Sequence, residues 1–246
     1  FTLPQAVSDV PYRPNQLELY NKCPLSYFYQ YVLGLSAKRE DTAYQQFHRA
    51  VYRTVDKLKQ TWDAGEDLTE ELAQSTFHTE WVEKGPTDHF LVDLYEASAR
   101  KMVSNAVDRM RSSDRTILTG YELDRTGGKI RLDFDLAEAG KDGKGPLVIQ
   151  RFKTGRPTKS EGDKDIYALL LTAAQELGDG TDSRVETLYL RDNMAVPVSM
   201  TEKVIGNRLA KYDGAMKNIT DGHFSPIENE YECPRCPHYF ICPAAV

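Results

Sequence analysis

The chain has 246 residues, 40% hydrophobic and 28% charged, enough to bury a sizeable core in one large domain or two small ones. Its 37 acidic and 31 basic residues leave a net charge of −6, which argues against a surface that grips nucleic acid all over but allows a local basic channel. No run of about 18 apolar residues spans a bilayer and no charged-then-apolar leader opens the chain, so a soluble, cytoplasmic protein with no membrane partner is expected.

The chain begins at Phe1 rather than Met and stops soon after Cys242, so we expect a domain excised from a longer protein. The proline-bearing first twelve residues predict an extended lead-in. Asn15 is placed to cap a helix through Lys22, Pro24 opens the next one, and Gly34 stands where a helix C-terminus wants a positive φ. Cys23 therefore falls at a helix–helix corner. From Tyr44 to Trp62 the apolar residues Phe47, Val51, Val55, Leu58 and Trp62 recur at steps of three or four, an amphipathic helix. Helices are also expected over 69–84 and 89–112.

The pattern then changes to short β-branched or alternating runs. "RTILTGYEL", "KIRLDFDLAE" and "PLVIQRFK" are separated by the turn signals "DRTGG" and "AGKDGKG", so three strands joined as hairpins are expected. A helix over 163–177, strands in "SRVETLYLRD" and "AVPVSM", and a helix over 202–218 follow. The expectation is an α/β protein with a mixed central sheet of about five strands flanked by helices. We read 1–246 as one domain, with a mostly helical part (1–113), an α/β core (114–220) and a cysteine-bearing tail (221–246).

All four cysteines are accounted for by Cys23 and by Cys233, Cys236 and Cys242 in "YECPRCPHYFICPAAV". C-x2-C-x5-C on a loop stiffened by Pro234, Pro237 and Pro243 is the usual grammar of a metal site, and Cys23 would complete four thiolates. Zinc and a [4Fe–4S] cluster both accept that set. His238 between them reads as a loop residue rather than a further ligand.

Strand parity supplies a second cluster. In "IRLDFDL" a polar face carries Arg131, Asp133 and Asp135, and in "LVIQRFK" Arg151 and Lys153 share a face with Ile149. If the two strands pair as neighbours, Asp133 faces Arg151 and Lys153. A buried Asp, a "(D/E)-x-K" position some fifteen to twenty residues later, then "TG" and a helix bearing Tyr resembles the PD-(D/E)XK nuclease superfamily, which has a restriction-endonuclease-like core. "LELYNKCPLSYFYQYVLGL" is similar to the opening helix of its RecB-like branch. Joined to the terminal cysteines, it resembles the iron–sulfur branch of AddB-type helicase–nucleases. The resemblance runs from about Asn15 to Cys242. It implies one [4Fe–4S] cluster held by Cys23, Cys233, Cys236 and Cys242, clipping the ends of the fold together. It also implies Mg²⁺- or Mn²⁺-assisted phosphodiester hydrolysis, with Asp133, Lys153 and Tyr167 matching motif positions and Asp133 the metal ligand. The partners implied are DNA, single-stranded or at its ends, and a helicase domain or subunit.

The motif departs from the family's at three places. Arg151 stands where the second acidic ligand belongs, and Gln150 beside it is turned to the opposite face. Asp163 stands where a Gln precedes the helix Tyr. In "YQQFHRAVYRT" the apolar register puts Tyr52 at the motif His, while His48 fits that position less well. A guanidinium is always charged and repels a divalent cation. We therefore expect Arg151 to occupy the metal's place in a salt bridge with Asp133 and Lys153, giving an impaired nuclease kept for DNA binding or scaffolding. An active exonuclease drawing its missing carboxylate from Asp135, Glu138 or Glu122 is the alternative, and a zinc-bound structural module is a third. Arg156, Lys159 and Lys164 are candidate phosphate contacts.

Overall fold

The computed structural model describes residues 10–35, 40–113, 118–139, 146–178 and 182–244. Most of the expected lead-in, the start of "RTILTGYEL" and the turn "AGKDGKG" lie outside the described residues. The fold is α/β, and the chain divides into two compact units interleaved along the sequence.

One unit takes residues 40–120 and 133–199. Its helices are α3 (Ala43–Asp63), α4 (Glu70–Lys84) and α5 (Val92–Ser112), following α1 and α2 of the other unit. Thr42 and Thr69 cap α3 and α4 by accepting from the N–H of Gln45 and Leu72, which satisfies donors left over at the helix start. The apolar stripe expected on α3 is buried, and Phe47, Val51, Val55, Leu58 and Trp62 pack with Phe77, Trp81, Met102 and Met110 of α4 and α5. One carboxylate, Glu80, lies fully buried between α3 and α4, where Arg53 donates to it at 2.5 Å and Lys57 pairs with it.

The sheet of this unit has the order β3-β4-β5-β6, made of β3 (Leu136–Glu138), β4 (Val148–Lys153), β5 (Arg184–Tyr189) and β6 (Met194–Val198). Its outer pairs are antiparallel and β4–β5 is parallel. A parallel pair needs a crossover, and α6 (Ile166–Leu177) provides it. Leu136, Phe152, Leu188 and Leu190 join the core built by α3, α4 and α5.

The other unit takes residues 1–39, 121–132 and 200–246. It contains α1 (Pro14–Lys22), α2 (Pro24–Tyr27) continued as a π-helical turn over Phe28–Val32, and α7 (Glu202–Thr220). Helix α1 starts one residue before the expected cap: Pro14 takes the first position and the Arg13 N–H donates to Gln16 Oε1 at 2.8 Å. Gly34 has the positive φ expected of it, +67°.

A small sheet pairs β1 (Gly120–Arg125) with β2 (Gly128–Asp133) through a two-residue turn. Gly127 in that turn has no alternative, because a Cβ there would stand 2.8 Å from Met216 Cβ of α7. Arg125 clamps the hairpin to α7 through two hydrogen bonds to Asp213, at 3.0 and 2.7 Å.

"KIRLDFDLAE" is therefore two strands in two sheets, not one. Pairing of β2 with β1 ends at Asp133, Phe134 and Asp135 carry the chain across, and β3 begins at Leu136. Among the described residues six strands form a mixed four-stranded sheet and a small two-stranded one, in keeping with the expected α/β core with a mixed central sheet.

Candidate functional site

Strand β4 sorts its side chains as alternation requires. Gln150 is buried, accepts from Arg109 Nε at 2.7 Å and donates to Glu186 at 2.7 Å. Arg109 also holds Glu138 at 2.5 Å. Gln150 and Glu138 are thus committed to one hydrogen-bonded network reaching from α5 to β5. Glu122 lies on β1, 3.9 Å from Arg131 and 4.0 Å from Lys129. Among the carboxylates considered as substitutes, Asp135 is left at β4.

Asp135 Oδ2 accepts the N–H of Phe152 at 2.9 Å. Burial pushes this carboxyl up, and the Phe152 N–H, the charge of Arg151, and those of Lys59 and Lys153 offset part of the rise. Asp133 is exposed at the end of β2. Asp135 lies where the charges of Arg151 and Lys153 act on it.

Lys153 Nζ lies 3.0 Å from Glu161 Oε1, and the Tyr167 hydroxyl donates to the same oxygen at 2.9 Å. Lys164 holds the other oxygen, Oε2, at 2.5 Å. Burial alone would raise the Glu161 carboxyl, but the bonds from Lys164, Lys153 and Tyr167 outweigh it and hold the group down at about 2. Burial lowers Lys153, and the like charge of Arg151 lowers it further against the opposing pull of Glu161. Arg151 carries its guanidinium carbon 5.7 Å from the centre of the Tyr167 ring. Tyr167 is fully buried and its oxygen also meets Thr187 Oγ1 at 2.9 Å.

Helix α3 lines the end of β4 with residues spaced three and four apart. His48 Nδ1 meets the buried Thr154 Oγ1 at 2.6 Å, and the Tyr52 hydroxyl lies 3.4 Å from both Phe152 O and Thr154 N. Both residues competing for the motif His position therefore reach β4. Burial lowers His48, which favours the neutral imidazole, and its Nε2 is buried with no hydrogen-bond partner among the described residues. Further along, desolvation and the charge of Asp135 raise Asp56.

Sequence reasoning missed Glu161, naming only the cations of its loop. It sits on a single 3-10 turn, Glu161–Asp163, which has no periodicity to read. Its only signal was chemical: two neighbouring cations on β4 require anions. Of the cations expected to meet phosphates, Arg156 and Lys159 are exposed, while Lys164 is tied to Glu161.

In the other unit, Cys23 occupies the corner between α1 and α2, as expected. Cys23, Cys233, Cys236 and Cys242 are all free thiols and all line one cavity of about 180 Å³. Two 3-10 turns, Cys233–Arg235 and Tyr239–Ile241, shape the tail around it. The Asn229 N–H points at Cys233 Sγ at 3.2 Å, and its side-chain oxygen accepts from the N–H of Tyr231 and of Glu232. The Tyr29 hydroxyl donates to Ile241 O at 3.1 Å, and His238 is buried beside the Tyr29 ring at 5.3 Å. Among the described residues no three His, Cys, Asp or Glu side chains stand together as ligands of a single ion. Among the described residues no helix is long and apolar enough to cross a membrane.

Comparison with protein families matches residues 13–243 to the PD-(D/E)XK nuclease superfamily. A search of curated proteins found no match to the chain.

Proposed function

The chain belongs to the PD-(D/E)XK nuclease superfamily, and from that premise we propose a nucleic-acid-binding domain whose nuclease centre is catalytically impaired. One observation carries this reading. Arg151 stands two residues before Lys153, where the motif has its second acidic ligand, and the two cations are matched by two carboxylates, Asp135 and Glu161. Members of this superfamily usually use Mg²⁺ or Mn²⁺, which needs a surplus of negative oxygen ligands. Here each carboxylate already faces a cation, and a guanidinium cannot ligate a metal. The residues present do not fit a divalent cation, and we derive no hydrolytic step through one.

The cysteine cavity supports the finer reading of a [4Fe–4S] domain. Four thiols around some 180 Å³ suit a guest larger than a single ion, and an N–H aimed at sulfur stabilises a thiolate ligand. Cys23, Cys233, Cys236 and Cys242 would hold it, and the group would supply a clip between the α1–α2 corner and the tail. The likeness of these cysteines to those of AddB-type helicase–nucleases supports a domain that rides on a helicase acting in DNA end processing. Iron and inorganic sulfide in anaerobically purified protein are expected; zinc in their place would make it the zinc-bound structural module.

A second reading, an active metal-dependent exonuclease, is favoured by His48, whose buried Nε2 is a ligand atom without a partner among the described residues. Digestion of labelled single-stranded DNA in Mg²⁺ or Mn²⁺ separates the two. We expect no cutting by the native protein and cutting by Arg151→Asp. Native activity that disappears in Asp135→Ala but persists in Asp133→Ala would overturn the first reading.

A further inference from the structure

The Glu161 carboxylate is held as a bound anion would be. Two ammonium groups and a phenol converge on it, with Lys153 and Tyr167 on one oxygen and Lys164 on the other. These donors come from three places: the end of β4, the loop before α6, and α6 itself. Glu161 sits on a single 3-10 turn with Lys164 just after it, and neither belongs to α6 or to a strand. The next residue, Gly162, has open space around it, as does Gly155 at the start of the loop. The carboxylate can therefore leave its donors without dismantling a regular element. Exposed Arg156 and Lys159 lie between those two glycines, so the same loop presents cations outward while its carboxylate holds cations inward.

We propose that Glu161 is an internal stand-in for a strand phosphate, an autoinhibitory contact that a phosphodiester group of bound nucleic acid displaces from Lys153, Lys164 and Tyr167. The inference rests on the nucleic-acid-binding reading above. Carboxylate and phosphodiester both offer two oxygens to charged donors, so the exchange replaces one set of charge-assisted bonds by another. The gain on exchange comes from the counterions that the strand releases when Lys153 and Lys164 turn to it, and that gain falls with salt.

The test is equilibrium binding of a labelled oligothymidylate to the full chain across a salt series. Native protein is compared with Glu161→Gln, which keeps the shape but not the charge, and with Glu161→Ala, which removes the competitor and serves if the glutamine variant misfolds. We expect the variants to bind about tenfold tighter at low salt. The slope of log K against log salt should stay the same, because Lys153 and Lys164 meet the strand in native chain and variants alike. Adding Lys153→Gln should take back part of the gain and make the slope shallower by roughly 0.7. If the native chain binds and both variants bind equally or more weakly, Glu161 is a structural ion-pair partner and the inference fails. If neither native nor variant protein binds, the nucleic-acid reading fails and takes this inference with it.

Discussion

At the scale of single residues, the candidate centre is governed by two carboxylates whose environments act in opposite directions. The Glu161 carboxyl is held at about 2, below its ordinary 4.5, so its contribution to stability is fully present above pH 4.5 and is lost as the pH falls through about 2. Urea unfolding across this range should show the native chain more stable than Glu161→Gln by on the order of 2–3 kcal/mol near neutrality, with the difference vanishing towards pH 2. A constant difference at every pH would mean the charge is not what matters. Asp135 has the opposite sign, because burial raises its carboxyl and stability falls as the pH rises past its unfolded value. Asp135→Asn should therefore flatten the decline in stability above pH 4 while leaving an acceptor for the Phe152 N–H. The sequence exposed Arg151, Lys153 and Tyr167 as a group because β4 is an unbroken strand and α6 follows it. Asp135 was legible as a candidate carboxylate because it alternates with Phe134, whereas Glu161 was hidden by its place on a turn.

At the scale of elements, α3 does two things at once. Phe47, Val51, Val55, Leu58 and Trp62 build the core with α4 and α5, while His48 and Tyr52, one step round the helix, reach the end of β4. Its core stripe was legible because apolar spacing is a local property. The polar stripe was not, because its meaning depends on a strand a hundred residues away. Leu58→Ala should cost about 2–5 kcal/mol in chemical denaturation, the usual loss for a leucine at 1% exposure. The β1–β2 turn was read correctly from "DRTGG", but nothing local revealed that α7 presses on it. Gly127→Ala should lower the melting temperature, since its Cβ would meet Met216 Cβ at 2.8 Å; an unchanged Tm would mean the hairpin is free to shift. Parity held even through Phe134 and Asp135, which belong to neither sheet: Ile130, Leu132, Phe134 and Leu136 are all buried while Asp133 and Asp135 alternate with them.

At the scale of the whole molecule, four thiols drawn from the two ends of the chain meet at one cavity. Closing a loop of roughly two hundred residues removes much conformational freedom from the unfolded chain, so a group bound there should stabilise the fold broadly. Under the [4Fe–4S] proposal, Cys23→Ser should lose the iron and melt at lower temperature, and the same fall should follow chelation of the native protein. The cysteine spacing made this meeting of thiols legible in the sequence, because cysteines are few and chemically distinctive. The account as a whole turns on whether the centre at β4 has exchanged its metal for internal ion pairs. Titration with Mn²⁺ followed by electron paramagnetic resonance tests that most directly, with the native chain set beside Arg151→Asp and Asp135→Ala. The account predicts no saturable Mn²⁺ site in the micromolar range in the native chain and the appearance of one in Arg151→Asp. Micromolar Mn²⁺ binding by the native chain, abolished by Asp135→Ala, would contradict it.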